Sequence, residues 1–93
     1  MKSLKRVHLF VSGRVQGVGF RASAAIRAKI LDLKGFVKNL EDGRVEAVIE
    51  GEDKKVDKLV EWTRRGPMFA KVIDTQVMKK KYLGEFDNFK IVY

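Results

Sequence analysis

The sequence predicts an α+β fold of the ferredoxin-like, split βαβ kind, in which two helices cover one face of a mainly antiparallel sheet. Two observations support this prediction. Alternating apolar segments and segments with helical apolar spacing follow one another as strand, helix, strand, strand, helix, strand. An Asp-Gly pair, Asp42-Gly43, separates two alternating segments and indicates a hairpin between antiparallel neighbours. A short terminal strand is predicted after the sixth element.

The first half of the chain contributes a strand and a helix joined by a glycine-rich loop. The strand is predicted over Lys5–Ser12, with its aliphatic residues facing the core. The helix is predicted over Phe20–Leu31, where apolar residues recur every three or four positions. Asp32 is expected to adopt the left-handed conformation that ends this helix. His8, the only histidine, lies on the strand without a nearby carboxylate pattern, so we assign it no role.

The hairpin joins a second strand, Phe36–Leu40, to a third strand, Val45–Glu50, which Gly51 ends. In the third strand apolar residues alternate with mostly polar ones, which predicts one buried and one solvent-facing side. Asp53 is a candidate N-cap for the second helix, since a side-chain carboxylate can accept the first free N–H groups. Gly66-Pro67 stops this helix.

The last third of the chain predicts two more strands. Alternation over Ala70–Lys80 slips near its middle, so we expect a fourth strand with a bulge or at a sheet edge. Leu83–Asn88 is a turn-rich connection, and Phe89–Tyr93 closes the chain as a short strand.

Length and composition narrow the class of protein. Ninety-three residues suit one compact domain, so residues 1–93 are expected to form a single unit. The sequence has neither an apolar stretch of membrane-spanning length nor a signal-peptide pattern, which predicts a cytoplasmic protein with no membrane partner. Without cysteine, disulfides and thiolate metal sites are excluded. The net charge of +8 favours anionic partners without choosing among them.

The loop from Gly13 to Arg21 is the candidate functional site. Gly17 and Gly19 can take positive φ angles, which lets successive backbone N–H groups converge on an anion. The N–H groups that open the next helix carry partial positive charge, and the Arg21 guanidinium could donate to phosphate oxygens. Taken singly, Gly17 and Gly19 are more typical of a plain tight turn, and Arg21 of a surface arginine. Asn39 alone would be a strand-end residue bonded to nearby backbone.

Two motifs together resemble the acylphosphatases, small enzymes that hydrolyse the carboxyl-phosphate anhydride bond. The family pattern of a glycine, a Val-Gln-Gly-Val loop and a closing Phe-Arg is similar to Gly13, Val15–Val18 and Phe20-Arg21. A second pattern, glycine, aromatic residue, valine, any residue and asparagine, is similar to Gly35–Asn39. The likeness extends over nearly the whole chain.

The resemblance implies a site and a mechanism. Arg21 would bind the phosphate oxygens, and Asn39 would position the attacking water. Backbone amides of the loop would hold the phosphate, from Val15, Gln16, Gly17, Val18, Gly19 and Phe20. The substrate would be a small acyl phosphate and the products a carboxylate and inorganic phosphate, with no cofactor and no metal. We expect a monomer.

The kinds of residue in the chain agree with this chemistry. With no cysteine and one histidine without an assigned role, catalysis must come from positioning of the substrate and from electrostatic stabilisation. The preference for the acyl group stays open. Ala22, Asp32 and Phe36 depart from common family residues, and positions after Arg21 or near Phe69 would border the cleft outside the phosphate.

An RNA-binding module is the alternative, since RNA-recognition domains share this fold and the protein is basic. The third strand lacks their glycine-aromatic signature, and Glu46 and Glu50 on its outer face would repel phosphates. Nucleic acid is therefore not an expected partner. A non-catalytic regulatory domain is a third interpretation, and we favour it less because nothing follows Tyr93.

Overall fold

Residues 3–93 are described by a computed structural model of the chain, and Met1 and Lys2 of the expected 1–93 domain lie outside the described residues. This range forms strands and helices in the predicted order. The elements are β1 (Leu4–Arg14), α1 (Phe20–Ile30), β2 (Lys34–Asn39), β3 (Val45–Glu52), α2 (Asp53–Thr63), β4 (Lys71–Lys80) and β5 (Phe89–Val92).

The strands form one mixed sheet in the order β4-β1-β3-β2-β5. β1 pairs antiparallel with β3 and β4, β2 pairs antiparallel with β3, and the terminal β5 adds parallel to β2. The predicted split βαβ arrangement is confirmed. Because β1 and β2 both run antiparallel to β3, their C-terminal ends lie at the same edge of the sheet. β4 begins and β5 ends at that edge.

Both helices pack on one face of the sheet, where the core lies. Val7, Leu9 and Val11 of β1 are at most 1% exposed and point toward the helices, as their alternation predicts. Between the helices, the Phe20 ring of α1 lies 5.2 Å from the Trp62 ring of α2. This contact anchors the first turn of α1, which carries part of the candidate site. No helix in residues 3–93 is long and apolar enough to cross a membrane.

Several boundaries differ from the predictions because pairing across the sheet extends the strands. β1 continues past Ser12 through Gly13 and Arg14, which pair with the start of β4. β3 does not end at Gly51, which pairs with Lys5 of β1. The connection between β1 and α1 is therefore shorter than the predicted loop, because Gly13 and Arg14 belong to β1.

β4 carries the predicted irregularity and also lies at a sheet edge. Ser12 pairs with Asp74 and Gly13 with Val72, so the register shifts and Ile73 is left without a partner on β1. Such a bulge turns the end of a strand. Both parts of the expectation for this strand are confirmed.

Of the predictions for the end of α1 and the start of α2, one is confirmed and one is wrong. Asp32 has φ 57°, so the predicted left-handed residue after α1 is confirmed. The prediction that Asp53 caps α2 is wrong, because Glu52 occupies the N-cap position and no side chain caps it. Asp53 is instead the first helical residue, and its carboxylate lies 3.3 Å from Lys5 Nζ. A carboxylate in the first turn still interacts favourably with the helix dipole.

Glu50 is only 1% exposed, so the expectation that its charge faces solvent is wrong. It lies on the face of the sheet away from the helices, where the connection between β4 and β5 covers it. Its carboxylate accepts hydrogen bonds from the backbone N–H groups of Leu83 (2.9 Å), Gly84 (3.1 Å) and Glu85 (3.2 Å). Arg6 donates a further bond at 3.1 Å. The carboxylate therefore fixes the connection in place.

His8 lies on the same open face and has a carboxylate partner that its local sequence does not reveal. Its Nε2 lies 2.7 Å from an Oε2 of Glu46, so Glu46 is not a free outward charge either. The two residues are 38 positions apart and meet because β1 and β3 are adjacent. Glu46 pairs with Lys38 on β2, and neither His8 nor Glu46 lines the cleft described below.

Candidate active site

Residues 15–19 connect β1 to α1, and their glycines have the predicted conformations. Gly17 has φ 74° and Gly19 has φ 78°. A Cβ placed on either residue would meet nothing within 4 Å, so glycine is required here by the backbone angle and not by crowding. Within residues 3–93, the N–H groups of Gly17, Val18 and Gly19 donate to no protein acceptor. They are available to a ligand.

The first turn of α1 presents further free donors. Gly19 occupies the N-cap position, and no side chain caps the helix. The first intrahelical bond runs from Ser23 N–H to the Gly19 carbonyl at 3.0 Å, so the N–H groups of Phe20, Arg21 and Ala22 precede the hydrogen-bonded ladder. The first turn also lacks acidic residues. Its partial positive charge is therefore not offset by a neighbouring carboxylate.

A cleft of about 150 Å³ lies at this edge of the sheet. It is lined by Val15, Gly17, Gly19, Phe20, Arg21, Ala22, Asn39, Ile91 and Tyr93. The structure thus brings together every predicted site residue except Gln16 and Val18. Ile91 and Tyr93, from the end of the chain, complete the lining because β5 ends beside β2 at the same edge.

Arg21 points its guanidinium at an aromatic ring and at no carboxylate. Its Cζ lies 4.9 Å from the centre of the Tyr93 ring, a cation–π distance. No described residue forms an ion pair with Arg21. An aromatic face holds a guanidinium through its flat side and leaves the N–H groups at its edge free. Those donors can bind an anion.

Asn39 contributes the most unusual polar atom of the cleft. Its Oδ1 is buried and accepts no hydrogen bond from any atom of residues 3–93. Leaving a buried acceptor without a partner destabilises a fold by about 1–3 kcal/mol. Such an atom in a cleft indicates a place where a donor from a ligand or a water completes the site.

Gln16 lies next to the cleft, and its side chain turns toward the β2–β3 hairpin. Nε2 donates to the carbonyl oxygens of Leu40 at 2.8 Å and Arg44 at 3.0 Å. Leu40 directly follows Asn39 in the chain. The side chain of Gln16 therefore bonds the loop to the strand end that carries Asn39. Val18 is partly buried against the core.

The described residues contain no group of three or more His, Asp or Glu side chains placed to hold a metal ion. The donors of the cleft are instead backbone N–H groups, one guanidinium and one carboxamide. This donor set matches a phosphoryl group, with its several negatively charged oxygens.

Fold and cleft together define a class: a small α+β domain of the split βαβ kind, with a cleft of free backbone N–H groups and one arginine between β1 and α1. Comparison with known proteins identifies the member of that class. Residues 7–91 match the family model described as acylphosphatase. The chain belongs to the acylphosphatase family.

Individual relatives and a solved structure support the same family assignment. The chain is 52% identical over 89 residues to an acylphosphatase of Methylococcus capsulatus, covering 96% of this chain and 97% of the relative. It is 50% identical over 93 residues to an acylphosphatase of Roseiflexus sp., with both chains fully covered. The crystal structure of acylphosphatase from Bacillus subtilis superposes with a TM-score of 0.91 at 41% identity, covering 98% of this chain and 100% of that one.

Proposed function

We propose that this chain hydrolyses acyl phosphates to a carboxylate and inorganic phosphate, with Arg21 and Asn39 as its catalytic residues. The observation that carries the proposal is the buried, unpartnered Oδ1 of Asn39, in the same cleft as free backbone donors and a guanidinium without a carboxylate partner. Membership of the acylphosphatase family supports the same reaction.

The phosphoryl group binds at the start of α1. Backbone N–H groups of Val15, Gln16, Gly17, Val18, Gly19 and Phe20 surround its oxygens, and Arg21 donates from one side. These donors are fixed before the substrate arrives, so they stabilise negative charge on the equatorial oxygens of the transition state without reorganisation. A cleft of about 150 Å³ accommodates a phosphoryl group while its acyl portion extends outward.

Asn39 holds the attacking water. Its Oδ1 accepts a hydrogen bond from the water and directs the water oxygen to phosphorus. The carboxamide is neutral and cannot act as a strong base, so the water proton passes to a phosphate oxygen of the substrate. The bond from water oxygen to phosphorus forms as the bond from phosphorus to the acyl oxygen breaks. The departing carboxylate is a stable anion that needs no proton.

A direct test uses benzoyl phosphate as substrate in the presence of a chelator. We expect turnover by the unmodified protein. Arg21→Ala should weaken binding of inorganic phosphate and lower kcat/KM, while Asn39→Ala should mainly lower kcat. Asn88→Ala is the matched control for Asn39, because Asn88 is exposed and outside the cleft. Absence of turnover by the unmodified protein, or full activity of Asn39→Ala, would contradict the proposal.

We further propose that the protein acts as a monomeric single domain in the cytoplasm. The proposed site draws its groups from one chain, so it needs no partner subunit. Sedimentation of the purified protein at about its sequence mass of 10.6 kDa would support the monomer. Sedimentation at twice that mass, at concentrations used for assays, would contradict it.

Binding of RNA through the open sheet face is not supported. Stacking of bases needs exposed aromatic rings. The Phe10 ring is covered by Arg44, whose Cζ lies 4.6 Å above it. Phe36 packs edge-on against Phe86 at 6.1 Å. Arg44 therefore occupies one face of the Phe10 ring, and Phe86 occupies space beside Phe36.

A further inference from the structure

We propose that a groove beside the phosphate loop, on the side of β4, binds the acyl group and selects acyl phosphates whose acyl chain ends in a second anionic group. The inference rests on the proposed function and extends it to the substrate. The groove has a volume of about 490 Å³ and is lined by Arg14, Gln16, Gly17, Val18 and Phe69. We call these residues the acyl groove. Gly17 also lines the phosphate cleft, so the two spaces adjoin.

The acyl groove lies on the side where in-line displacement sends the leaving group. In such a reaction the attacking water and the leaving oxygen lie on opposite sides of phosphorus. Asn39 ends β2, which lies beyond β3 on one side of β1. Phe69 precedes β4, which pairs with the other side of β1. A water held by Asn39 therefore directs the acyl oxygen toward Phe69.

Arg14, which lines the groove, and Lys71, its neighbour on β4, have no ionic partner among the described residues. The side chain of Arg14 is exposed and forms no hydrogen bond or ion pair with any residue from 3 to 93. It pairs across the strands with Lys71, and no described carboxylate neutralises that lysine either. Like charges placed directly opposite each other on adjacent strands destabilise a sheet. An anion on the ligand would relieve this repulsion, and the guanidinium of Arg14 can bind a carboxylate through paired N–H groups.

Two of the residues that line the groove, Val18 and Phe69, are apolar. Phe69 is 75% exposed although it borders the site, and Val18 in the same lining is half-buried. Neighbouring Met68 is 89% exposed. Apolar side chains near the phosphate loop and a free cation at its margin fit a short hydrocarbon chain that carries a distal negative charge.

Succinyl phosphate and butyryl phosphate test the proposal, because both have four-carbon acyl chains and only the first ends in a carboxylate. We expect the unmodified protein to show a higher kcat/KM for succinyl phosphate. Arg14→Gln should lower the ratio of the two kcat/KM values by about fivefold, the scale of a partly exposed charge pair. Lys29→Gln removes the same charge from an exposed position on α1 and should leave the ratio unchanged.

Phe69→Ala tests the apolar wall. It should lower kcat/KM for both four-carbon substrates more than for acetyl phosphate, whose two-carbon acyl group presents less apolar surface to the ring. Succinate should also inhibit the unmodified protein more strongly than butyrate, and Arg14→Gln should remove that difference. The inhibition measures binding alone.

The outcomes separate the groove from the proposed function. If no acyl phosphate is hydrolysed, the proposed function fails and the acyl groove with it. If acetyl phosphate is hydrolysed but the unmodified protein does not prefer succinyl phosphate, only the groove is overturned. An equal change of the ratio in Arg14→Gln and Lys29→Gln would also overturn it, since net charge and not Arg14 would then set the preference.

Discussion

Gln16 Nε2 donates to the carbonyl oxygen of Leu40 at 2.8 Å, and this bond joins the loop between β1 and α1 to the residue that follows Asn39. A second bond, to the carbonyl of Arg44 at 3.0 Å, holds the other arm of the same hairpin. Gln16 of the loop and Asn39 are 23 positions apart in sequence. The carboxamide of Gln16 adds a direct link between them to the indirect one that the sheet provides through β3.

Gln16→Ala should therefore impair the placement of water more than the binding of phosphate. We expect kcat to fall about tenfold, because small displacements of reacting groups have large effects on rate. The inhibition constant of inorganic phosphate should change much less. In the Gln16→Ala, Asn39→Ala double variant the second substitution should cause little further loss. Fully additive losses in kcat would show that Gln16 acts independently of Asn39.

Tyr93 should restrain Arg21 through its ring. An exposed cation–π contact contributes about 0.5–1 kcal/mol, so Tyr93→Ala should raise the inhibition constant of inorganic phosphate about two- to fivefold. Tyr93→Phe keeps the ring and should restore tight inhibition. If both variants weaken inhibition equally, the hydroxyl and not the aromatic face is the relevant group.

Glu50 should make stability depend on pH in the acid range. Burial alone would raise the pKa of its carboxyl, but the Leu83 amide, the Arg6 guanidinium and the Gly84 amide more than offset burial and hold the pKa below its ordinary value of 4.5. Because the folded pKa is lower than the unfolded one, the carboxylate stabilises the fold above pH 4.5, and this stabilisation is lost as pH falls through the folded pKa.

Glu50→Gln should consequently destabilise the protein at neutral pH by about 1–3 kcal/mol. In glutamine an NH2 group replaces one carboxylate oxygen, and it cannot accept the backbone hydrogen bonds that this oxygen accepts in Glu50. Urea unfolding at neutral pH and at a pH below the folded pKa would measure the difference, which should shrink in acid. Glu61→Gln, at an exposed ion pair with Arg64, is the control and should have little effect at either pH. A deficit for Glu50→Gln that is the same at both pH values would contradict the account.

Features set by local sequence could be predicted. The order of elements follows from apolar periodicity, the positive φ of Gly17 and Gly19 from the lack of a side chain, and the left-handed Asp32 from its place after α1. Asn39 could be linked to the loop only through the family resemblance. Its distance along the chain from the loop gives no local signal.

Features set by contacts between distant segments could not be predicted. Glu50 alternates like a solvent-facing residue and is buried only because residues 83–85 fold over it. Tyr93 reaches the cleft because β5 adds beside β2, a choice of neighbour that periodicity does not specify. The carbonyl partners of Gln16 likewise depend on how the hairpin packs against the loop.

The central claim is that water held by Asn39 attacks phosphorus, and isotope labelling tests it most directly. Hydrolysis of benzoyl phosphate by this protein in water enriched in oxygen-18 would be followed by mass analysis of both products. Attack at phosphorus places the label in inorganic phosphate and leaves benzoate unlabelled. Label found in benzoate, with unlabelled phosphate, would show attack at the carbonyl carbon and contradict the proposed roles of Arg21 and Asn39.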